Sequence, residues 1–234
     1  MNVLLASVDA LPQVGGISFM AHHVAAGLVR KGANVVFVGP AGSYVPRGFD
    51  RNYSFYEDVA SNVALRAGEG CLVEDARIAA LFKSMIERYR ISRVVLMHPY
   101  YYGVGAIDAC RAAGVPCTVF FHGLEIRCQI VQSDGPVNLK ALARASGLTG
   151  LAERTFASIA RADELAVNSV YTAEMLHDFD PGLSARVVGC GVDLDDIERR
   201  LAGVPLTRTG KAERRRGLGL PDRPTLAFIG RLVP

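Results

Sequence analysis

Two histidines stand directly after apolar runs that predict buried strands. His98 follows residues 94–97 and opens a His-Pro-Tyr-Tyr-Tyr segment, and His122 follows residues 119–121 and opens a His-Gly-Leu-Glu segment. Ligands of a parallel sheet bind outside the carboxyl ends of its strands, so both imidazoles are candidates for binding or catalysis. A histidine beside an apolar strand is usually structural. The glycine turn favours a functional role for His122, whereas the structural interpretation is favoured for His98.

A glycine pair and an arginine are candidates for binding phosphate. Gly15 and Gly16 stand where a long loop opens into a predicted helix, so backbone N–H groups could approach an anion at the positive end of the helix dipole. Arg231 follows the last apolar run, and its planar guanidinium suits phosphate oxygens. A flexible turn and a surface arginine are the structural alternatives. The dinucleotide fingerprint G-x-G-x-x-G is absent, and no acidic residue ends the second predicted strand.

The sequence offers no spaced set of metal ligands. Glu125 is the only carboxylate near His122 in the chain, and Asp9 is the other carboxylate to test, in the loop after the first strand. The five cysteines are odd in number and lack C-x-x-C spacing, which favours reduced core thiols over disulfides or zinc. We therefore predict neither a metal nor a cofactor.

A scaffold of alternating strands and helices is predicted to position these groups. Short β-branched apolar runs alternate with helical patterns, which indicates βαβ units. The expected fold is α/β, with a Rossmann-like, doubly wound, mainly parallel sheet of six or seven strands. The predicted strands span residues 2–7, 34–38, 53–56, 93–97, 117–121, 164–167 and 186–188, and the predicted helices span residues 17–31, 73–90, 104–113, 139–162 and 171–177. Ser169 and Thr172 are predicted to cap the last helix.

The composition restricts the class of protein. The chain has 234 residues, half of them hydrophobic, but no apolar run near the ~20 residues that a membrane span requires. The start of the chain lacks the basic segment of a signal peptide, so a cytoplasmic location is expected. A net charge of +3 and the absence of tryptophan argue against a nucleic-acid partner.

Several motifs together resemble one enzyme family. They are the opening strand with Gly15-Gly16, His122-Gly-x-Glu125, the Asn-Ser-x-x-Thr run at 168–172, the Gly-Cys-Gly-Val-Asp run at 189–193, and the Gly-Arg-Leu-Val-Pro run at 230–234. In order and spacing they resemble the retaining glycosyltransferases of GT-B architecture, family 4, also called glycosyltransferase group 1. That family has two Rossmann-like domains that face each other across a cleft.

The resemblance implies roles for individual residues. Gly15 and Gly16 match the loop whose backbone faces the donor diphosphate and the acceptor, His122 matches the histidine beside the transferred sugar, and Arg231 matches the arginine that neutralises the diphosphate. Glu125, His98 and Ser169 complete the predicted donor- and acceptor-binding set. Asp193 matches a turn aspartate that we take as structural, and Cys190 stands where the family usually has asparagine.

The resemblance also implies an activity and a domain organisation. The expected reaction moves a sugar from a nucleoside diphosphate donor to a hydroxyl of a sugar, lipid-linked or small-molecule acceptor, with retention. Residues 1–194 are expected to form the N-terminal, acceptor-binding domain, 195–223 a basic linker, and 224–234 the first strand of a truncated donor-binding domain. The chain alone is expected to be inactive, and strand 225–229 to dock on a sheet edge or a neighbouring molecule.

Three alternatives accompany this interpretation. A non-catalytic partner subunit of the same fold would carry similar motifs. A nicotinamide-dependent oxidoreductase is disfavoured, because the fingerprint and the ribose-binding carboxylate are missing. Helix 73–90 is basic and amphipathic and could contact the inner face of a membrane, but an ordinary sheet-covering helix has the same pattern and is favoured.

Overall fold

A computed structural model describes most of the chain. The described residues are 1–12, 15–43, 52–59, 75–99, 101–122, 158–189, 191, 194–202 and 208–220. Glu125, Cys190, Asp193, Arg231, most of the predicted helix 139–162 and the predicted strand 225–229 lie outside them. The chain divides into two compact units, residues 1–191 and 192–234, and each is described by itself.

The first unit is built on a sheet of seven parallel strands. Its strands are β1 (Asn2–Ala6), β2 (Asn34–Pro40), β3 (Ser54–Asp58), β4 (Arg93–Leu96), β5 (Cys117–Phe121), β6 (Glu164–Val167) and β7 (Ala185–Val187). They lie in the order β3-β2-β1-β4-β5-β6-β7, and every neighbouring pair is parallel. The predicted Rossmann-like α/β fold is therefore confirmed.

Helices cover both faces of this sheet. They are α1 (Gly16–Arg30), α2 (Asp75–Tyr89), α3 (Gly103–Ala113) and α4 (Val170–Phe179). Successive strand residues point to opposite faces, and they form two separate apolar layers. Leu4 and Leu96 pack in the layer that includes Phe82 of α2, whereas Leu5 packs in the layer that includes Ala25 of α1. Near-continuous apolar strands are what a sheet buried on both faces requires.

Helix α2 covers the sheet through its apolar face. Ile78, Phe82, Met85 and Ile86 are all buried in the core layer that this helix shares with α3. The interpretation of α2 as a helix that covers the sheet is thus confirmed, and these four apolar side chains are buried in the core.

Helices α2 and α3 approach each other closely at Gly105. A Cβ at this position would lie 2.6 Å from the carbonyl oxygen of Asp75 and 2.8 Å from Cβ of Ile78. Gly114 ends α3 with a φ of 64°, a left-handed conformation that glycine adopts without strain. The first glycine serves the contact between helices and the second serves the turn.

Two details refine the sequence predictions. Strand β3 runs to Asp58, two residues beyond the predicted Tyr56, because its pairing with β2 continues to the end of that strand. Cys110 and Cys117 are buried free thiols, as predicted for core cysteines. The other three cysteines lie outside the described residues.

The second unit contains two described helices in or beside the stretch that the sequence predicted to be a basic linker. They are α5 (Leu194–Leu201) and α6 (Arg208–Gly217). Helix α6 is strongly basic in its last turn, at Arg214, Arg215 and Arg216. Among the described residues of both units, none belongs to a helix long and apolar enough to cross a membrane.

Candidate functional site

The sheet order creates one preferred position for a ligand. From β1 the chain builds outward through β2 and β3 on one side, and then returns to β4 on the other side of β1. The connections that leave β1 and β4 therefore diverge, and they open a crevice at the carboxyl ends of these two strands. Such a switch point is where open α/β sheets bind their ligands.

Asp9 and His98 meet at this switch point. Asp9 follows β1 and His98 follows β4, and Nε2 of His98 is hydrogen-bonded to Oδ2 of Asp9 at 2.8 Å. Ser7 fixes the turn that carries Asp9, since its Oγ donates to the Asp9 carbonyl oxygen at 2.7 Å and accepts from the Asp9 N–H at 3.2 Å. The imidazole is 3% exposed and the carboxylate 24%, so the pair is buried with one side open.

The charge state of Asp9 is held by its histidine neighbours. Burial alone raises the pKa of the Asp9 carboxyl, but the hydrogen bond to His98 and the positive charge of His98 and His122 outweigh burial. The pKa of Asp9 is therefore lowered from its ordinary value, and the group is a carboxylate at neutral pH. A carboxylate in this state accepts hydrogen bonds and is a weak base.

His122 stands next to this pair. It follows β5, is 8% exposed, and its Nε2 donates a hydrogen bond to the carbonyl oxygen of Met97 at 3.1 Å. Its ring centroid lies 5.9 Å from that of His98, and its ring stacks on Phe120. The backbone acceptor fixes the ring orientation and the tautomer. We call Asp9, His98 and His122 the switch-point cluster.

The glycine pair lies at the same edge of the sheet. Gly15 is the N-cap of α1 in an extended conformation, without a side-chain cap among the described residues. Among the described residues, a Cβ on Gly16 would meet no atom within 4 Å, and one on Gly15 would only touch Oγ of Ser18 at 3.5 Å. Neither backbone conformation nor packing against these residues requires either glycine. Within the described part of the chain the space beside Gly16 is open, and the N–H groups of the first helical turn lie at this end of α1.

Ser169 has a structural task at the end of β6. Its Oγ accepts a hydrogen bond from the Thr172 N–H at 3.1 Å and so caps α4, as the sequence predicted. Strand β5 separates β6 from β4, so Ser169 follows the strand next but one to that of His98, and His122 follows the strand between them. The predicted binding role of Ser169 stays a prediction. The predicted site residues Glu125 and Arg231 lie outside the described residues.

A second polar cluster lies at the carboxyl end of β3, and the sequence did not reveal it. Asp58 ends β3 with its side chain 4% exposed, and both of its oxygens accept from Arg77, at 3.0 and 3.2 Å. Arg77 also donates to the hydroxyl of Tyr101 at 2.9 Å, and the Tyr102 hydroxyl donates to Asp58 at 3.3 Å. We call these four residues the Asp58–Arg77 cluster.

Arg77 stays charged in this cluster. Burial alone lowers the pKa of the guanidinium, but the hydrogen bonds and charges of Asp58 and Tyr101 more than offset burial, so the pKa is raised. The only sequence signal for the cluster is a carboxylate at the end of a strand, in a stretch to which no chemistry was assigned.

Metal ligation finds no support in the part of the chain that the structure describes. Within it, no three His, Cys, Asp or Glu side chains come close enough together to hold an ion. The polar groups that converge at the crevice are instead one carboxylate, two imidazoles and helix-end N–H groups.

Comparison with known proteins identifies the family. Residues 14–196, more than half of the chain, match Glycosyltransferase Family 4. The chain belongs to this family. No curated protein matches the sequence. The matched family residues include Gly15, Gly16, His98, His122 and Ser169, and they end before Arg231.

Solved structures share the fold at low sequence identity. The E. coli protein described as trehalose-6-phosphate bound with UDP-2-fluoro glucose is 14% identical with a TM-score of 0.51, over 94% of this chain and 55% of that one. UDP-N-acetylglucosamine 2-epimerase from Rickettsia bellii is 10% identical with a TM-score of 0.52, over 94% and 51%. MurG from Acinetobacter baumannii is 13% identical with a TM-score of 0.43, over 80% and 44%. This chain spans about half the length of these proteins.

Proposed function

We propose that this chain is the N-terminal, acceptor-side domain of a GT-B glycosyltransferase. The reaction transfers a sugar from a nucleoside diphosphate to a hydroxyl group, with retention at the anomeric carbon. Family membership supports glycosyl transfer in general. The observation that carries the proposal is the switch-point cluster, which lies at the same sheet edge as an α1 N-terminus that is open at Gly16.

The α1 N-terminus supplies the first half of a diphosphate site. The N–H groups of its first turn and the positive end of the helix dipole attract phosphate oxygens, and glycines let the backbone approach them closely. Helix α1 has no acidic residue in its first turn to compete for those groups. Arg231 is proposed to neutralise a diphosphate, as the family resemblance implies.

His122 is proposed to act beside the transferred sugar. Its ring is held by the Met97 carbonyl oxygen and by stacking on Phe120. A ring that is fixed before the reaction can orient the sugar and polarise its surroundings without reorganising in the transition state. The chemistry is then mostly electrostatic, because the departing diphosphate carries the developing charge.

The acceptor presents a hydroxyl group to the open side of the crevice. A sugar, a lipid-linked molecule or a small polyol would meet this requirement, and the Asp9 carboxylate is a strong acceptor for such a hydroxyl. We attribute donor selectivity to a second domain, so we expect these 234 residues alone to transfer no sugar. A cytoplasmic location fits a nucleotide-sugar donor.

Gly16→Ala tests the diphosphate site. The added methyl group meets no atom of the described residues within 4 Å, so the fold should tolerate it, while an approaching phosphate would be pushed away. Loss of one hydrogen bond to a charged group, about 1.5–3 kcal/mol, corresponds to roughly tenfold to a hundredfold weaker binding. Titration calorimetry of the natural protein and its Gly16→Ala variant with UDP and with GDP measures this loss of affinity. Gly27→Ala, in the same helix and equally unobstructed, is the matched control and should bind normally.

His122→Ala tests the catalytic role. In the natural protein it should lower kcat by about 10²-fold and change KM less, because a group beside the reacting carbon acts mainly in the transition state. An unchanged kcat would reduce His122 to a structural residue. A natural protein that binds nucleotide but hydrolyses and transfers no nucleotide sugar would instead be a non-catalytic partner subunit.

A further inference from the structure

We propose that Asp58 and Arg77 are positioning residues that hold His98 against Asp9. They act through Tyr101 and Tyr102, which lie three and four residues after His98 in the same connection from β4 to α3. The expected effect on turnover rests on the proposed function, whereas the expected effect on the position of His98 does not.

The far end of the connection is tied to the Asp58–Arg77 cluster. Tyr101 and Tyr102 are 5% and 1% exposed, and their hydroxyls bond to the guanidinium and to the carboxylate respectively. Their rings contact each other edge to face at 4.8 Å, and Tyr102 also contacts Phe82 at 5.6 Å. Both hydroxyls are thus held by groups from β3 and α2.

The near end of the connection is tied to the sheet. The N–H of Met97 donates to the carbonyl oxygen of Ala6 at 2.9 Å, which continues the pairing of β4 with β1. The carbonyl oxygen of Met97 accepts from His122. His98 therefore lies between one anchor that belongs to the sheet and another that belongs to the Asp58–Arg77 cluster.

An ion pair restricts the arrangement of its partners more than apolar contacts do. Replacing a buried ion pair by apolar groups of similar volume is often neutral or stabilising, so stability alone does not explain Asp58 and Arg77. A paired carboxylate and guanidinium accept only a few arrangements of their donors and acceptors. Two tyrosine hydroxyls bound to this pair fix where α3 begins, and with it the path of the chain back to His98.

Displacement of His98 should lower the rate of the proposed reaction. A displacement of about 1 Å in an active site can lower the rate by 10²-fold, even when its cause is distant. Burial is the largest single influence on the pKa of Asp9 and raises it, but the hydrogen bond and electrostatic interactions of His98, together with those of His122, outweigh burial. If His98 moves away, the carboxyl stays buried but loses its partner, so its pKa should rise.

The test is the double variant Asp58→Asn/Arg77→Met. It removes both charges, keeps similar side-chain volumes, and leaves Tyr102 an acceptor. Carboxyl ¹³C NMR, with the Asp9 signal assigned from Asp9→Asn, follows the titration of Asp9. We expect its pKa to move up to its ordinary range or above, and kcat for sugar transfer by the natural protein to fall at least tenfold. An Asp9 pKa that stays low in the folded double variant overturns the proposal.

Two further variants separate positioning from stability. Ile86→Ala opens a cavity in the core beneath the same helix α2, and it should lower stability while leaving the Asp9 titration and kcat unchanged. If the double variant fails to fold, Tyr101→Phe decides, because it removes one hydroxyl and keeps the ring. It should raise the pKa of Asp9 and lower kcat to a smaller extent, and no change in either would overturn the proposal. If the natural protein transfers no sugar, the proposed function fails, but the Asp9 titration still decides the positioning role.

Discussion

Replacing Gly105 by alanine tests the close contact between α2 and α3. The added Cβ would lie 2.6 Å from the Asp75 carbonyl oxygen and 2.8 Å from Cβ of Ile78, both short of the 3.4 Å at which ordinary contact begins. The first neighbour is main chain and the second belongs to a fully buried branched side chain, so neither can rotate away. The helices must separate.

The expected loss of stability follows from two opposing effects. Overpacking of a well-packed core costs about 1–3 kcal/mol. Alanine recovers up to about 1 kcal/mol of helix propensity relative to glycine. The net loss lies between about 0 and 3 kcal/mol, and we expect Gly105→Ala to lower the free energy of unfolding by about 1–2 kcal/mol, the middle of this range. For a chain of this size each kcal/mol shifts Tm by roughly 2–4 °C, so Tm should fall by about 2–8 °C.

Thermal unfolding followed by circular dichroism measures this change. Gly27→Ala in α1 is the matched control, since it makes the same replacement inside a helix, and no atom of the residues that the structure describes lies within 4 Å of the new methyl group. Its Tm should stay the same or rise by up to about 4 °C. If Gly105→Ala melts no lower than Gly27→Ala, the close approach of the two helices is not as described, and the reasoning fails.

Two further predictions concern the sheet edge. Because the folded pKa of Asp9 is lowered, its carboxylate stabilises the fold above the ordinary carboxyl pKa of about 4 and loses this effect as the pH falls through the folded pKa. Asp9→Asn should therefore be less stable than the parent at pH 7, and the stabilities of the two proteins in denaturation curves should converge in acid. A stability difference that stays constant with pH would contradict this assignment. Ser169→Ala should lower the free energy of unfolding by about 1 kcal/mol, because it removes the α4 cap, and Ser169→Asp should restore most of this stability, because aspartate caps equally well. Equal stability of all three proteins would show that the cap contributes nothing.

The strands and their ends were predictable from local sequence. A run such as Val3–Ala6 is apolar at every position, which only a strand buried on both faces explains, and His98 and His122 then follow as strand-end residues. The cap at Ser169 was predictable for the same reason, since a capping serine acts on a residue three positions away.

The partners of these residues were not predictable from local sequence. Asp9 and His98 are 89 residues apart and meet only because β1 and β4 are neighbours, and strand order is not encoded in hydrophobic periodicity. Asp58 was missed because β3 is an edge strand whose Ser54 and Glu57 are exposed, which weakens the apolar signal that marks a strand end. The bond from Arg77 to Asp58 also crosses between two elements.

The open space beside Gly16 has an evolutionary consequence. In the absence of ligand, alanine at this helical position would gain helix propensity and clash with none of the described residues, so the glycine lowers the stability of the empty protein by up to about 1 kcal/mol. A laboratory selection for heat resistance alone should therefore enrich Gly16→Ala, whereas a selection for turnover should remove it. If both selections are run on one library, position 16 should separate the two populations, because there the demands of folding and of binding favour different residues.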